Sequence, residues 1–315
     1  MKVVSAEDAA RLVPDGATVV LGGSGAGHAV PQRFIDALET VYLSEGKPRD
    51  LTTVAVVGIG DFADRGLSQL ALPGLMRRSI GSNIGNAPRL GDLVAKGEVE
   101  AYSFPQGVLS QMCREVAAGR PGVISKVGLG TYVDPRQTGG KQGAATEDLI
   151  ELVELAGEEW LLYRAFPIDV AVIRGSSIDH DGNLTLDEEA VSGEMLAMAM
   201  AARNSGGVVI AQAKKLVASK SIAPRQMDVP GALIDFALID PDQTQTYVTE
   251  YSPHYSGEEW RDDSPDAGTV PLDVRKVIAR RSLLEFAPGQ ISNLGFGISQ
   301  AIGAIAQEEG IANRV

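Results

Sequence analysis

The sequence predicts an open, mostly parallel α/β sheet with helices on both faces, followed by the start of a second, similar α/β unit. Three observations predict it. Short β-branched runs recur along the chain, and several pass directly into glycine clusters. Amphipathic stretches of helical length separate them, which is the βα repeat of a parallel sheet. After a polar stretch near Ser252 the same alternation begins again.

The elements follow in order. Ser5 with Glu7 and Asp8 reads as a capped helix start, and Pro14, Asp15 and Gly16 end that helix. ATVVL at 17–21 suits a buried strand. It opens into GGSGAG at 22–27, with Pro31 at a first helical position. Residues 51–57 read as a strand ending in Gly58 and Gly60. Residues 99–104 read as another, running into Pro105, Gln106, Gly107 and an amphipathic helix with Cys113 on its apolar face. Residues 145–155 look helical, capped by Thr146. Residues 159–165 and 169–174 look like neighbouring strands, and DGN at 181–183 supplies a tight turn. Residues 188–203 form an Ala/Met-rich helix and 207–212 the strand after it.

The stretch 252–271 is polar, acidic and rich in Ser, Pro and Gly, and reads as a linker between domains at 1–251 and 272–315. In the second, a helix starts at Asp273, residues 290–293 form a short strand, and a further helix runs to Glu309. About 45 residues cannot bury a core of their own, so this is expected to be the truncated beginning of a domain.

Composition narrows the function. The 315 residues carry 28 basic and 41 acidic side chains, a net charge of -13. Nucleic-acid binding needs a basic footprint and is disfavoured. No apolar run approaches the roughly 20 residues of a membrane span, and the first residues lack a signal peptide's apolar core. One cysteine, Cys113, rules out an internal disulfide and a cysteine-rich metal site. A cytoplasmic enzyme without a metal fits best. Glycine, at 36 residues, is concentrated where α/β enzymes place ligand-binding loops.

Three motifs fit only in part. The loop at 22–27 departs from G-x-G-x-x-G, because the third glycine falls on His28 or Val30. GGSGA at 22–26 lacks the last glycine of a hydrolase elbow, and none of His28, His180 and His254 has the context of a triad base. DHDGN at 179–183 resembles a calcium loop, but Leu184 and Ala190 stand where Gly and Glu are required; a turn explains it better. The glycine loop either lets the chain turn sharply or faces its amides to a ligand, and both readings can hold together.

Six further stretches point one way. AYSFPQGVL at 101–109, KVGLGTYVDPR at 126–136, GEEWLLY at 157–163, RGSS at 174–177 leading to DGN at 181–183, VPG at 229–231 and NLGFGI at 293–298 occur in this order. Together they resemble the family I CoA-transferases of the propionate/acetate type, in the large form with two fused halves. The resemblance implies a CoA-transferase (NagB/RpiA-like) fold. It also implies transfer of coenzyme A, as co-substrate, between a short-chain acyl-CoA and a carboxylate through an enzyme glutamyl-CoA thioester. A dimer or tetramer is implied as well.

By that resemblance Gln106 hydrogen-bonds the substrate carboxylate or anhydride oxygens; the alternative is a buried structural glutamine holding its turn. Gly22, Gly23 and Gly25 line the acyl pocket with backbone. Asn293 lies near the nucleophile or caps a strand end, and Gly295 and Gly297 let the second-domain loop approach the CoA site. Gly128 and Gly130 serve the turn before Tyr132. The chain departs from the family at SNIGNAPR, 82–89, where relatives often carry a His-Trp-Gly stretch, which bears on acyl specificity. The family's E-x-G-x-x-G glutamate does not occur before Val315, and Glu308 and Glu309 read as a solvated helix face. The catalytic glutamate is therefore expected beyond Val315, on a missing C-terminal half present as a separate or cleaved chain. The competing reading is an inert fragment or paralogue that acts as a binding or assembly subunit. A sugar-phosphate isomerase on the same kind of sheet shares fold logic alone.

Overall fold

The computed structural model describes residues 1–25, 27–260, 269–295 and 297–312, which fall into two compact units, Met1–Glu258 and Glu259–Val315.

In the first unit the chain runs β1 (Lys2–Val3), α1 (Ala6–Arg11), β2 (Thr18–Leu21), α2 (Gln32–Glu45), β3 (Leu51–Ala55), α3 (Leu67–Leu70), β4 (Met76–Gly81), α4 (Pro88–Ala95), β5 (Glu100–Ser103) and α5 (Gln106–Ala117). There follow β6 (Gly122–Ser125), β7 (Lys141–Gly143), β8 (Ile150–Leu155), β9 (Glu158–Arg164), β10 (Val170–Asp179), α6 (Met195–Asn204), β11 (Val208–Val217), β12 (Phe236–Ile239) and the single turn α7 (Pro253–Ser256). Nine strands form one sheet in the order β1-β12-β11-β10-β2-β3-β4-β5-β7. Every pairing is parallel except β5 with β7. The mostly parallel sheet expected from the sequence is what the chain adopts.

Strand periodicity sorts the side chains into two cores, because successive residues point to opposite faces. Val19 and Leu21 of β2 join the core packed by α1 to α4, whereas Val20 joins the core packed by α5 and α6. β10 alternates in the same way, with Val170 and Val172 on one face and Ala171 and Ile173 on the other. Each helix answers with one apolar face: Phe34, Ile35, Leu38 and Val41 on α2, and Val108, Leu109, Met112 and Cys113 on α5. Burying such a Leu, Ile or Phe side chain stabilises by about 1.5–3 kcal/mol.

Local signals were reliable where capping groups stood next to the element. The Ser5 hydroxyl accepts from the Asp8 amide at 3.0 Å. Three expectations are corrected in this unit. The 145–155 helix is instead, at Ile150–Leu155, a strand antiparallel to β9, with Ile150 opposite Tyr163 and Leu152 opposite Leu161. The strands at 159–165 and 169–174 are not neighbours: β9 belongs to a separate sheet, β6-β9-β8, and β10 to the centre of the large one. The 188–203 helix begins only at Met195, because Glu188 and Glu189 are engaged by Ser176 and Arg174, and Gly193 sits at φ +54.

The DGN turn forms as expected. The Asp179 carboxylate accepts from the Asp181 and Asn183 amides at 3.0 and 2.9 Å and from the Asn183 side chain at 2.9 Å. Its oxygens are spent on the turn. No described helix is long and apolar enough to cross a membrane. Among the described residues no cluster of three His, Cys, Asp or Glu side chains is placed to hold a metal ion.

In the second unit, α8 (Val274–Leu283) and α9 (Ala301–Glu308) pack Ala279 and Leu283 against Ile302, Ile305 and Ala306. Asp273 caps α8 by accepting from the Lys276 amide at 2.8 Å. Residues 290–293 are not a strand, since a strand needs a partner and none pairs with them among the described residues. Of the expected linker, 261–268 lie outside the described residues, as does Phe296 of the NLGFGI stretch.

Candidate active site

The chain leaves β2 toward β5 on one side and returns through β10, β11 and β12 on the other, so the strand order reverses between β2 and β10. In open α/β sheets ligands bind outside the carboxyl ends of the strands at such a reversal. The glycine loop leaves β2 at this point.

Its geometry is tight. The Gly22 amide donates to Val172 at 2.9 Å, the Ser24 amide to His28 at 2.9 Å and the Gly25 amide to Gly58 at 3.0 Å. These amides are already satisfied, so the expectation that they face a ligand is corrected for Gly22 and Gly25: what the loop presents there is Cα surface. Gly23 has φ +100, and a Cβ on it would lie 2.7 Å from the Val30 Cα. Only glycine allows the loop to fold back onto the entrance of α2. Gly22 is buried against the Met195 thioether, while Gly23 and Gly25 are half-buried.

Gln106 lies on the same edge. It is the first residue of α5, directly after β5, three strand positions from β2 and thus about 14 Å across the sheet. The residue is exposed, and its side chain bonds no protein group among the described residues. The alternative reading, a buried glutamine that holds its turn, does not fit this placement. The first turn of α5 has no side-chain cap, Pro105 preceding it. An uncapped helix N-terminus leaves amides and a partial positive charge for a carboxylate or an oxyanion.

Between these points, residues 82–89 follow β4. Asn86 donates to the Gly58 carbonyl at 3.0 Å and its own carbonyl accepts from the Phe62 amide at 3.0 Å, binding this segment to the loop after β3. The Phe104 amide donates to Gly81 at 3.0 Å, placing the variant segment directly beside the Gln106 turn. The N-terminus of α6 joins the two predicted regions. Glu194 accepts from the Ser110 hydroxyl at 2.6 Å, and Met195 packs on Gly22.

Asn293, Gly295 and Gly297 belong to the second unit, where all three are exposed. Glu308 pairs with Lys276 at 2.6 Å and Glu309 with Arg280, so both are held in ion pairs. They are more constrained than the solvated face expected from sequence. Gly128 and Gly130 lie in the turn before Tyr132, where the Gly130 amide donates to Asp134 at 2.8 Å.

Sequence reasoning missed a group beneath the loop. Arg174 of β10 is 4% exposed and Glu189 5%, and they pair at 3.0 Å. The available signal was an arginine closing the apolar run VAVI of β10. A cavity of about 840 Å³ opens over this group, lined among others by Arg33, Arg65, Arg174, Asp240, Gln243 and Tyr247. Neither Gln106 nor any of the predicted glycines lines it, whereas Arg89, the last residue of the 82–89 segment, does. Burial raises the Asp240 carboxyl and the Tyr247 phenol above their ordinary values.

A mostly parallel sheet with a glycine loop at its strand-order reversal and an uncapped helix N-terminus on the same edge defines an α/β domain of the open-sheet class. The chain belongs to the coenzyme A transferase family, whose model matches residues 3–238. It is 41% identical over 313 residues to the acetate CoA-transferase YdiF of Escherichia coli K12, covering 99% of this chain and 59% of that protein. It is 32% identical over 241 residues to the acetate CoA-transferase subunit alpha of the same organism, covering 76% of this chain and 98% of that subunit. The crystal structure of the acyl-CoA transferase YdiF of E. coli O157:H7, as a thioester complex with CoA, superposes with a TM-score of 0.92 at 40% identity, covering 99% of this chain and 60% of that one. The chain thus spans about three fifths of the length of the full-length YdiF proteins it matches.

Proposed function

We propose that residues 1–315 supply the carboxylate- and acyl-holding part of a short-chain acyl-CoA:carboxylate CoA-transferase. The observation that carries the reading is the shared carboxyl edge, which holds the glycine loop and the open α5 N-terminus with Gln106. A carboxylate attacks the acyl-CoA carbonyl and the CoA thiolate leaves, giving a mixed anhydride. The thiolate then attacks the carbonyl derived from an enzyme glutamate, the acyl carboxylate departs, and the steps reverse with the second acid. Gln106 and the first amides of α5 hold the carboxylate and the oxyanion. Preorganised donors of this kind are worth about 3–4 kcal/mol each. Gly22, Gly23 and Gly25 shape the acyl pocket, and residues 82–89 bias its size.

The nucleophilic glutamate is assigned to a region outside residues 1–315. The chain lacks an E-x-G-x-x-G motif, and Glu308 and Glu309 are committed to ion pairs. Asn293, Gly295 and Gly297 are assigned to the approach of that second domain. The alpha-subunit match supports reading the first 251 residues as an alpha-type domain. We place coenzyme A as co-substrate, and the assembly as a homo-oligomer.

The test is trapping. The native protein is incubated with an acyl-CoA, denatured, and its intact and peptide masses are read. A CoA adduct on a glutamate outside residues 1–315 is the expected result. An adduct on a residue within 1–315 overturns the placement of the nucleophile. Absence of both adduct and CoA exchange overturns the reading of the function.

A further inference from the structure

Arg174 and Gln212 are register partners on the adjacent parallel strands β10 and β11, and both reach the entrance of α2. The Arg174 guanidinium donates to the Val30 carbonyl at 2.9 Å, to the Thr244 carbonyl at 2.6 Å and, through Nε, to Glu189 at 3.0 Å. Gln212 accepts from the Phe34 amide at 3.2 Å, in the first turn of α2, and donates to Gln243 at 2.8 Å. Gln243 donates in turn to Glu189 at 3.1 Å and to the Gly175 carbonyl at 2.9 Å. Thus the two ends of the short passage from glycine loop to helix, Val30 and Phe34, are held from below by one network.

An arginine suits this position. Its planar fork satisfies three acceptors in different directions without changing protonation, which a lysine cannot do with the same geometry. Glu189 supplies the opposite charge that such burial requires, and Gln243 fixes Glu189. Stability alone does not account for the arrangement, because a buried ion pair is often no more stabilising than apolar residues of equal volume.

We propose that Arg174 and Glu189, with Gln212 and Gln243, are positioning residues that set the conformation of the glycine loop for acyl transfer. The inference rests on the proposed function of that loop. The network touches neither Gln106 nor residues 82–89 in any of its hydrogen bonds, so it acts through the loop. A displaced loop misplaces the acyl group, and misplacement by about 1 Å costs up to about 100-fold in rate.

The test compares Glu189→Gln, which leaves Arg174 without its counter-charge, and Gln212→Leu, which removes the acceptor for the Phe34 amide and the donor to Gln243 while keeping the Arg174–Glu189 pair. Both are made in the native, full-length protein. Two readouts are taken well below each variant's melting temperature: steady-state CoA transfer, and amide hydrogen exchange of residues 22–34. The expected result is faster exchange across 22–34, with kcat lowered about 10- to 100-fold and the KM for acyl-CoA little changed. Unchanged exchange in both variants overturns the clamp. Faster exchange with unaltered kcat overturns the positioning role, as does a loss of activity that only tracks the folded fraction. If the wild-type protein transfers no CoA, the function reading fails, and the positioning role falls with it, while the exchange data still decide whether the clamp exists.

Discussion

A Cβ on Gly22 would come within 2.7 Å of the Met195 Cε and Sδ, the far end of a flexible side chain. On Gly23 it would come within 2.7 Å of the Val30 Cα and would force an L-residue to φ +100. The two substitutions therefore differ in kind. Gly22→Ala is expected to cost about 1–3 kcal/mol of overpacking, partly relieved as Met195 shifts. Gly23→Ala adds about 1–3 kcal/mol of backbone strain that nothing relieves. Urea melts of the two variants check this, and equal midpoints would count against it. Gln106→Ala makes the opposite separation: the side chain is exposed and unbonded, so the melt should stay within about 0.5 kcal/mol of wild type. CoA transfer should nevertheless fall by about 10²-fold or more, as for loss of one preorganised donor. Cys113 shows how burial controls reactivity. Its thiol is pushed up to about 12 by desolvation, with Glu194 adding to the shift. Alkylation at pH 8 should spare the native protein and go to completion in denaturant; rapid native labelling would show that the α5–α6 core opens.

The small sheet β6-β9-β8 is the element most at odds with sequence reading. Residues 145–155 are rich in the helix formers Ala, Glu and Leu, but propensity is a weak prior and tertiary pairing overrides it. Ile150 is 2% exposed opposite Tyr163, whereas Glu151 points outward to a surface pair with Arg164. Ile150→Ala is expected to cost about 2–5 kcal/mol, and Glu151→Ala no more than about 1 kcal/mol. Thermal melts that failed to separate the two would not fit a strand. The turn region 126–140 beside this sheet is anchored by Asp134, whose side chain is 1% exposed. The Arg136 guanidinium at 2.8 Å holds its carboxyl well below the usual carboxylate range, with the Gly130 and Arg136 amides contributing. A folded pKa depressed in this way contributes stability that is present above the unfolded value of about 3.9 and lost as pH falls through the folded value. Asp134→Asn should thus be less stable than wild type at pH 7, and the gap should narrow as the pH drops below about 4. Denaturant melts across that range measure it, and a constant gap would refute the assignment.

At the scale of the whole chain, the two units have very different means of staying folded. The first packs two cores onto the faces of a nine-stranded sheet, and the second, among the described residues, relies on five buried apolar side chains from two helices. So small a core is marginal by itself. Calorimetry of residues 1–315 is expected to show the main transition unchanged when residues 259–315 are removed, and slow hydrogen exchange confined to the first unit. A main transition lowered by that removal would show that the second unit supports the first.

The parallel α/β class, the main alternation of strands and helices, the glycine loop and the family were all legible in the sequence. They rest on local signals: β-branched runs, caps, glycines and short motifs whose residues are contiguous. The place of Gln106 in the fold was legible for the same reason, since a residue that opens a helix directly after a strand is set by its immediate neighbours. Only the tertiary structure decided that β8 is a strand, that β9 and β10 lie in different sheets, and that the loop's amides are spent on Val172, His28 and Gly58. It alone joined Arg174 to Glu189, Gln212 and Gln243. The bonds of the Arg174 network join residues 15 to 178 positions apart. A strand is stabilised by its cross-strand neighbours, and a buried charge by the particular groups that surround it, and neither is present in any local window.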